Sequence, residues 1–321
     1  MSKYKFKPID LHRVNTIPLR ERESKVKVED FATPPRPNGS FQEFISSFPH
    51  ILAGDSFRQV VDSIIKAKSS GKPLIWGMGA HPIKCGLSPV ITNLMEQGVI
   101  DALALNGAGV IHDVEVALIG QTSEEVEKGL TNGSFGMARE TSEVINHAIN
   151  EGVGSGLGIG EAVGLRLTRL KPPYLRYSIL ATAYRLNIPV TVHVAVGTDV
   201  THLHPSAQGE AIGKGSHHDF RLFASLVAEL NGGGVFMNVG SAVIIPEVLI
   251  KAVSLVRNIG KELRNFTTVD IDFIRGYRPY QNVVHRPVLQ GGKGYSLIGH
   301  HEILLPLLAW AIVERLPPKG K

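Results

Sequence analysis

The chain has 321 residues, 43% of them hydrophobic and 20% charged, with a net charge of +5 and a single cysteine. That is enough chain for one large α/β domain or two small ones, and no run of about 18 apolar residues is present to span a membrane. One cysteine excludes intrachain disulfides, which fits a reducing compartment. The first residues lack the apolar core of a secretory signal, so a cytoplasmic protein is expected. The basic residues of the first 40 positions alternate with apolar and acidic ones, whereas a nucleic-acid tail would be a denser run. Anionic small molecules, rather than nucleic acid or membrane, are the expected partners.

Residues 1–40 show little periodicity and carry Pro8, Pro18, Pro34, Pro35 and Pro37. They are expected to form an extended arm on the body or on a neighbouring subunit, with a single α/β domain over 41–321. Ser40 can cap a short helix at 41–47. An amphipathic helix at 57–68 turns Val60, Val61, Ile64 and Ile65 inward.

A strand at 74–77 then runs into Gly77-Met-Gly79-Ala-His81-Pro-Ile-Lys84-Cys85-Gly86. Cys85 is expected to be a small packed residue. Ser88 and Pro89 open a helix to 97. A second strand, 102–105, ends in Asn106-Gly107-Ala108-Gly109, and a helix-like run follows from Val114 to Leu118. A short apolar run ending in glycine reads as a buried strand of a parallel sheet. Small residues at its carboxyl end let backbone approach a ligand, and the next helix offers free N–H groups there.

A loop around 121–136 leads to a helix at 137–150. The alternating glycines of 152–160 follow that helix rather than a strand, so they are not a dinucleotide fingerprint; a flexible loop or lid is expected. Helices at 161–169 and 174–186 flank the Pro172-Pro173 break. A strand at 190–196 ends near Gly197-Thr198-Asp199. Helix 219–230 and a strand at 234–238 reach Gly240-Ser241, and helix 246–258 follows. Residues 267–272, with Asp270 and Asp272, read as the last core strand, 276–294 as a long polar loop, and 302–314 as a closing helix. Repeating strand–helix units imply a doubly wound, Rossmann-like parallel sheet covered on both faces. Four apolar runs ending in small residues suggest one carboxyl edge shaped for a nucleotide.

The order of these motifs resembles the deoxyhypusine synthase family. The resemblance rests on 77–118 (a glycine-ended strand, a polar turn before Gly86, Val99-Ile-Asp-Ala-Leu103 and an Ala-Gly turn leading to Asp113), on Asn187-Ile-Pro-Val190 through Thr198-Asp199, and on 219–258. About half the chain is covered, in scattered blocks. The family implies a doubly wound NAD-binding fold and a homotetramer, so a dimer or tetramer is expected. By position, it implies an NAD pocket shaped by Gly77 and Gly79, the turn Ala80 to Gly86, Asn106, Gly107, Ala108 and Gly109, the turn Gly197-Thr198-Asp199, and Gly240 and Ser241, with Asp270 or Asp272 accepting from ribose hydroxyls. Two departures matter. Ile245 or a neighbour stands where the family has its catalytic lysine, and Ile cannot form a Schiff base. Ile111-His112 replaces the family's acidic pair. Deoxyhypusine synthesis itself is therefore not expected.

The chemistry that remains is a histidine-rich segment. Asp199, His193 and His202 are candidate acid/base groups, with His112 near the second turn. His202, His204 and His217 are an alternative zinc set, although their spacing matches no standard signature. Three functions follow: an NAD-dependent enzyme acting on a small amine or alcohol, a metal-assisted hydrolase using 193–218, and a non-catalytic nucleotide-binding protein.

Overall fold

The computed structural model describes residues 3–316. Six strands form one all-parallel sheet: β1 (Leu74–Met78), β2 (Ala102–Asn106), β3 (Val190–His193), β4 (Val235–Val239), β5 (Thr267–Asp272) and β6 (Lys293–Ile298). Their order is β3-β2-β1-β4-β5-β6. This is the doubly wound arrangement expected from the strand–helix repeat, and the order reverses between β1 and β4. Strands β1 to β4 are buried at every position but Asn106 because helices cover both faces.

On one face, Leu74, Trp76, Leu103 and Met237 pack against α2 (Leu52–Ser69), α4 (Ser88–Glu96), α7 (Arg139–Gly154), α8 (Ile159–Leu170), α9 (Ile179–Leu186) and α13 (His301–Val313). On the other, Ile75, Ala104 and Phe236 meet Phe223 and Val227 of α10 (Gly209–Ala228) and Ile245, Leu249 and Val253 of α11 (Ile244–Asn258). Five further α-helices lie among the described residues: α1 (Phe41–Ser46), the one-turn α3 (His81–Lys84), α5 (Gly107–Ile119), α6 (Val126–Asn132) and the short α12 (Tyr277–Pro279).

Several elements differ from expectation, each for a packing reason. The glycines of 152–160 are not a lid. Only four residues separate α7 from α8. A Cβ at Gly152 would lie 2.4 Å from that of Ala162, and one at Gly160 would lie 2.1 Å from the Val190 carbonyl. The alternation thus records two helices and β3 in close approach. Helix α10 begins ten residues early, through Gly209, Gly213 and Gly215. A Cβ at Gly215 would meet Ile159 and Val153 within 3 Å, so that glycine permits tight helix contact. The expected helix at 174–186 breaks at Ser178, whose Oγ accepts from the Ala181 amide at 3.0 Å and caps α9. Residues 267–272 are not the last strand: β6 follows as an edge strand, more exposed than the rest. Helical turns over 277–288 occupy the segment expected to be a loop.

Residues 3–40 are exposed at every position except Asp30, and Phe6 and Ile9 are each 88% exposed. No helix of the described residues is long and apolar enough to cross a membrane.

Candidate functional site

Parallel pairing puts the carboxyl ends of β3, β2, β1 and β4 side by side, so the four small-residue tips do share one edge. The edge continues past the strands: the Gly79 amide donates to Val239 O, and the Gly240 amide to Ile271 O, each at 3.0 Å. Gly79, Gly107 and Gly240 do not stand open there, whereas a Cβ at Gly197 would meet nothing within 4 Å. The first three bring protein groups close to the backbone.

At the β2 tip, Asn106 caps α5, its Oδ1 accepting from the Gly109 amide at 2.9 Å. A Cβ at Gly107 would fall 1.8 Å from Asp199 Oδ2, so this glycine makes room for the Asp199 carboxylate at the first turn of α5. Ala108 is the half-buried next residue of that turn. His202 Nδ1 accepts from the amides of Gly197 (3.1 Å) and Asp199 (3.3 Å). A ring nitrogen that accepts twice carries no proton, so Nε2 is the protonated atom. Nε2 lies 3.8 Å from Asp199 Oδ2. Burial raises the Asp199 carboxyl above its ordinary value, and His202 opposes that rise. Thr198 is exposed and donates to Ala195 O.

The other histidines expected in acid/base roles are placed differently. His193 is buried, 3.0 Å from Thr191 Oγ1 and edge-on to Phe223. Burial lowers its pKa to about 4, so it is a neutral core residue at pH 7. His112 Nδ1 lies 2.5 Å from Thr122 Oγ1, which donates to Glu115. Burial, with Lys84 nearby, lowers the His112 pKa to about 4 as well. His204 Nδ1 pairs with Ser206, and His217 is exposed on α10. His202, His204 and His217 therefore do not assemble as metal ligands. Among the described residues, the one group of three His, Cys, Asp or Glu side chains close enough to share an ion is His81, Cys85 and Glu302.

A second polar cluster lies beyond β1. Register aligns Thr191, Ala104, Gly77, Asn238, Asp270 and Ser296 as one row of small or polar residues across all six strands. Gly77 belongs to packing: a Cβ there would strike Ile245 and Phe236 within 3 Å. Asn238 Nδ2 donates to Asp270 Oδ1 (2.8 Å) and to Ser241 O (2.9 Å). Asn238 Oδ1 and Asp270 Oδ2 are buried without a partner. Burial, reinforced by Asp272, raises the Asp270 pKa to about 6. The Asp272 carboxylate accepts from the Phe273 amide at 2.8 Å. His301 packs on Gly240, where a Cβ would meet its Cε1 at 2.7 Å. Its Nε2 lies 3.0 Å from Ile271 O, and its Nδ1 is buried without a partner. Ser241 Oγ accepts from the Ile245 amide at 3.2 Å in the turn that opens α11. Next to it, Ala242 and Val243 are exposed.

These residues fit a dinucleotide in two respects. Orphaned acceptors and a histidine nitrogen gather at the switch point, where buried polar atoms ordinarily find partners. Helix α11 also presents its N-terminus there, behind a turn of small residues. Asn238, His301 and Glu302 were not among the residues singled out from sequence. The run Gly299-His300-His301-Glu302, at a strand-to-helix turn, was the available signal. Ile245 is fully buried beneath Gly77, and Lys251 faces solvent in an ion pair with Glu247. No lysine of α11 thus replaces the family lysine.

No family model and no curated protein matches the sequence. Solved structures do match. AgrE in its ternary complex with ornithine and NAD+ aligns at 16% identity and a TM-score of 0.53, over 80% of this chain and 32% of AgrE. A LOR/SDH-like protein of Methanococcus maripaludis aligns at 15% identity and 0.51, over 94% and 76%. A deoxyhypusine synthase-like protein of Entamoeba histolytica aligns at 11% identity and 0.48, over 87% and 94%. This chain is similar in fold to the first two, and it spans about a third of the length of AgrE.

Proposed function

We propose that this chain is an NAD-dependent enzyme with a deoxyhypusine synthase-like fold that acts on a small amino compound, not on a protein lysine. The observation that carries the reading is the cluster of unpartnered polar groups on Asn238, Asp270 and His301 at the switch point of the sheet. The AgrE structure of similar fold holds ornithine and NAD+, which supports both the cofactor and an amine substrate. Bound NAD would supply a hydride acceptor. The turn Gly240-Ser241 and the start of α11 would hold its phosphates, and Asp270 or Asp272 its ribose hydroxyls.

The chain's own acid/base group is Asp199 with His202. The Gly197 and Asp199 amides fix the ring so that Nε2–H faces the carboxylate. Asp199, buried at the start of α5, takes a proton from the substrate amine or hydroxyl, and His202 holds the carboxylate in place. Helix α11 turns its one lysine, Lys251, to solvent, so no covalent amine intermediate forms there. The exposed arm of residues 3–40, with its uncovered apolar side chains, lies on a second copy in a dimer or tetramer. Light scattering of a chain lacking residues 1–40 checks this, a shift to monomer being expected.

The test of function is turnover. Purified protein with NAD+ and a panel of small amines and amino acids, ornithine among them, should produce NADH, and Asp199→Asn should abolish it. Binding of NAD+ without NADH across the panel would favour a non-catalytic nucleotide-binding protein.

A further inference from the structure

One cluster of reactive side chains has no part in that reading. The single turn of α3 sets His81 and Cys85 four residues apart on one face, and the Cys85 amide closes the turn on His81 O at 2.9 Å. His81 Nε2 and Cys85 Sγ stand 3.2 Å apart. Glu302, from the first turn of α13, reaches the same spot, and the three ligand atoms lie within 4.8 Å of one another. The His81 ring is flanked by the rings of His301 (5.2 Å) and Phe273 (6.0 Å). His81 and Glu302 are exposed and Cys85 is half-buried, so the cluster opens to solvent.

We propose that His81, Cys85 and Glu302 form a binding site for a borderline-soft divalent cation, with an open position facing solvent. Bonds of about 2.3 Å to sulfur and about 2.0 Å to imidazole nitrogen, at a tetrahedral angle, place those two atoms about 3.5 Å apart. The observed S···N separation is already close to that. A thiolate, an imidazole and a carboxylate together suit zinc or cobalt better than magnesium or calcium, which take oxygen. Three protein ligands with a vacant fourth position are the pattern of reactive rather than purely structural sites. The site differs from the histidine set at 202, 204 and 217; it follows β1, one strand from β4 with Asn238 and two from β5 with Asp270. On binding, the Cys85 thiol gives its proton to solvent and its sulfur bonds the ion. Lys84, exposed on the same turn, opposes a cation, so Lys84→Ala should tighten binding.

The test is titration of Co2+ alone into the metal-free full chain. Cys85 is the chain's single cysteine, so a thiolate-to-cobalt charge-transfer band in the unaltered protein reports this site without any variant. We expect the band to saturate at one equivalent and to be displaced by Zn2+. Cys85→Ser should abolish it, and Glu302→Gln, which removes a charged ligand, should keep the band while weakening affinity measurably. His202→Ala should leave it unchanged, because that residue lies elsewhere on the edge. Absence of a saturable sulfur band at micromolar Co2+, or binding that His202→Ala removes, would overturn the proposal. The readout does not involve NAD or turnover, so it stands or falls apart from the proposed function.

Discussion

Asp113 and Asp270 are both buried carboxyls whose pKa is raised to about 6, in each case chiefly by burial. Their surroundings differ. Asp113 accepts from Ser178 Oγ (2.6 Å) and from the amides of Ile179 (2.7 Å) and Leu180 (3.2 Å), tying α5 to the start of α9. Asp219 does similar work, accepting from the amides of Val192 and Gly160. Asp270 has one side-chain partner, Asn238, and a second oxygen with none. A shifted pKa therefore does not by itself mark a functional carboxyl here. Asp219 Oδ1 is also buried without a partner, so what distinguishes Asp270 is the place of its unfilled acceptor, beside Asn238 at the switch point.

Removing the well-partnered carboxyl should do the most damage. Asp113→Ala leaves a buried hydroxyl and two buried amides unpaired, and urea unfolding should show a loss of about 3 kcal/mol or more. Asp270→Asn should behave oppositely. A folded-state pKa above the ordinary 3.8 means that the protonated group's contribution is present below about pH 4 and lost as pH rises through about 6. The variant lacks that loss, so it should match wild type near pH 4 and exceed it by about 2 to 3 kcal/mol at pH 8. Thermal melts across pH check this, and NAD-dependent turnover should be lost in the same variant. A variant less stable than wild type at pH 8 would make Asp270 another structural carboxyl.

Gly107→Ala sharpens the other side of the edge. The added methyl must displace Asp199, so a stability loss of about 1 to 3 kcal/mol is expected, together with the turnover loss of Asp199→Asn. Lys251→Ala should change stability by no more than about 0.5 kcal/mol, because its ion pair is exposed, and should leave turnover unchanged. A large turnover loss there would restore a lysine to the chemistry.

The parallel sheet was legible because strands buried on both faces read as unbroken apolar runs. The row of four tips followed from that. Edge strand β6 was not legible, since Lys293-Gly-Tyr-Ser-Leu-Ile298 is only partly buried and lacks such a run. Glycines carried more than one meaning. At 152, 158, 160 and 215 they are points of close packing. At 107 and 240, where a nucleotide pocket is expected, they also admit Asp199 and His301 close to the backbone. These contacts join residues 92 and 61 positions apart, by difference of residue numbers, and no local pattern announces them. The Asn238–Asp270 pairing likewise depends on strand register, which only the assembled sheet supplies.

The most direct measurement is calorimetric titration of NAD+ into the full chain, in parallel with Asp270→Asn and Asp272→Ala. Saturable binding of one NAD+ per chain, weakened in at least one of the two variants, is the predicted result. Absence of binding at millimolar NAD+, or binding unchanged in both variants, would contradict a dinucleotide site at this edge of the sheet.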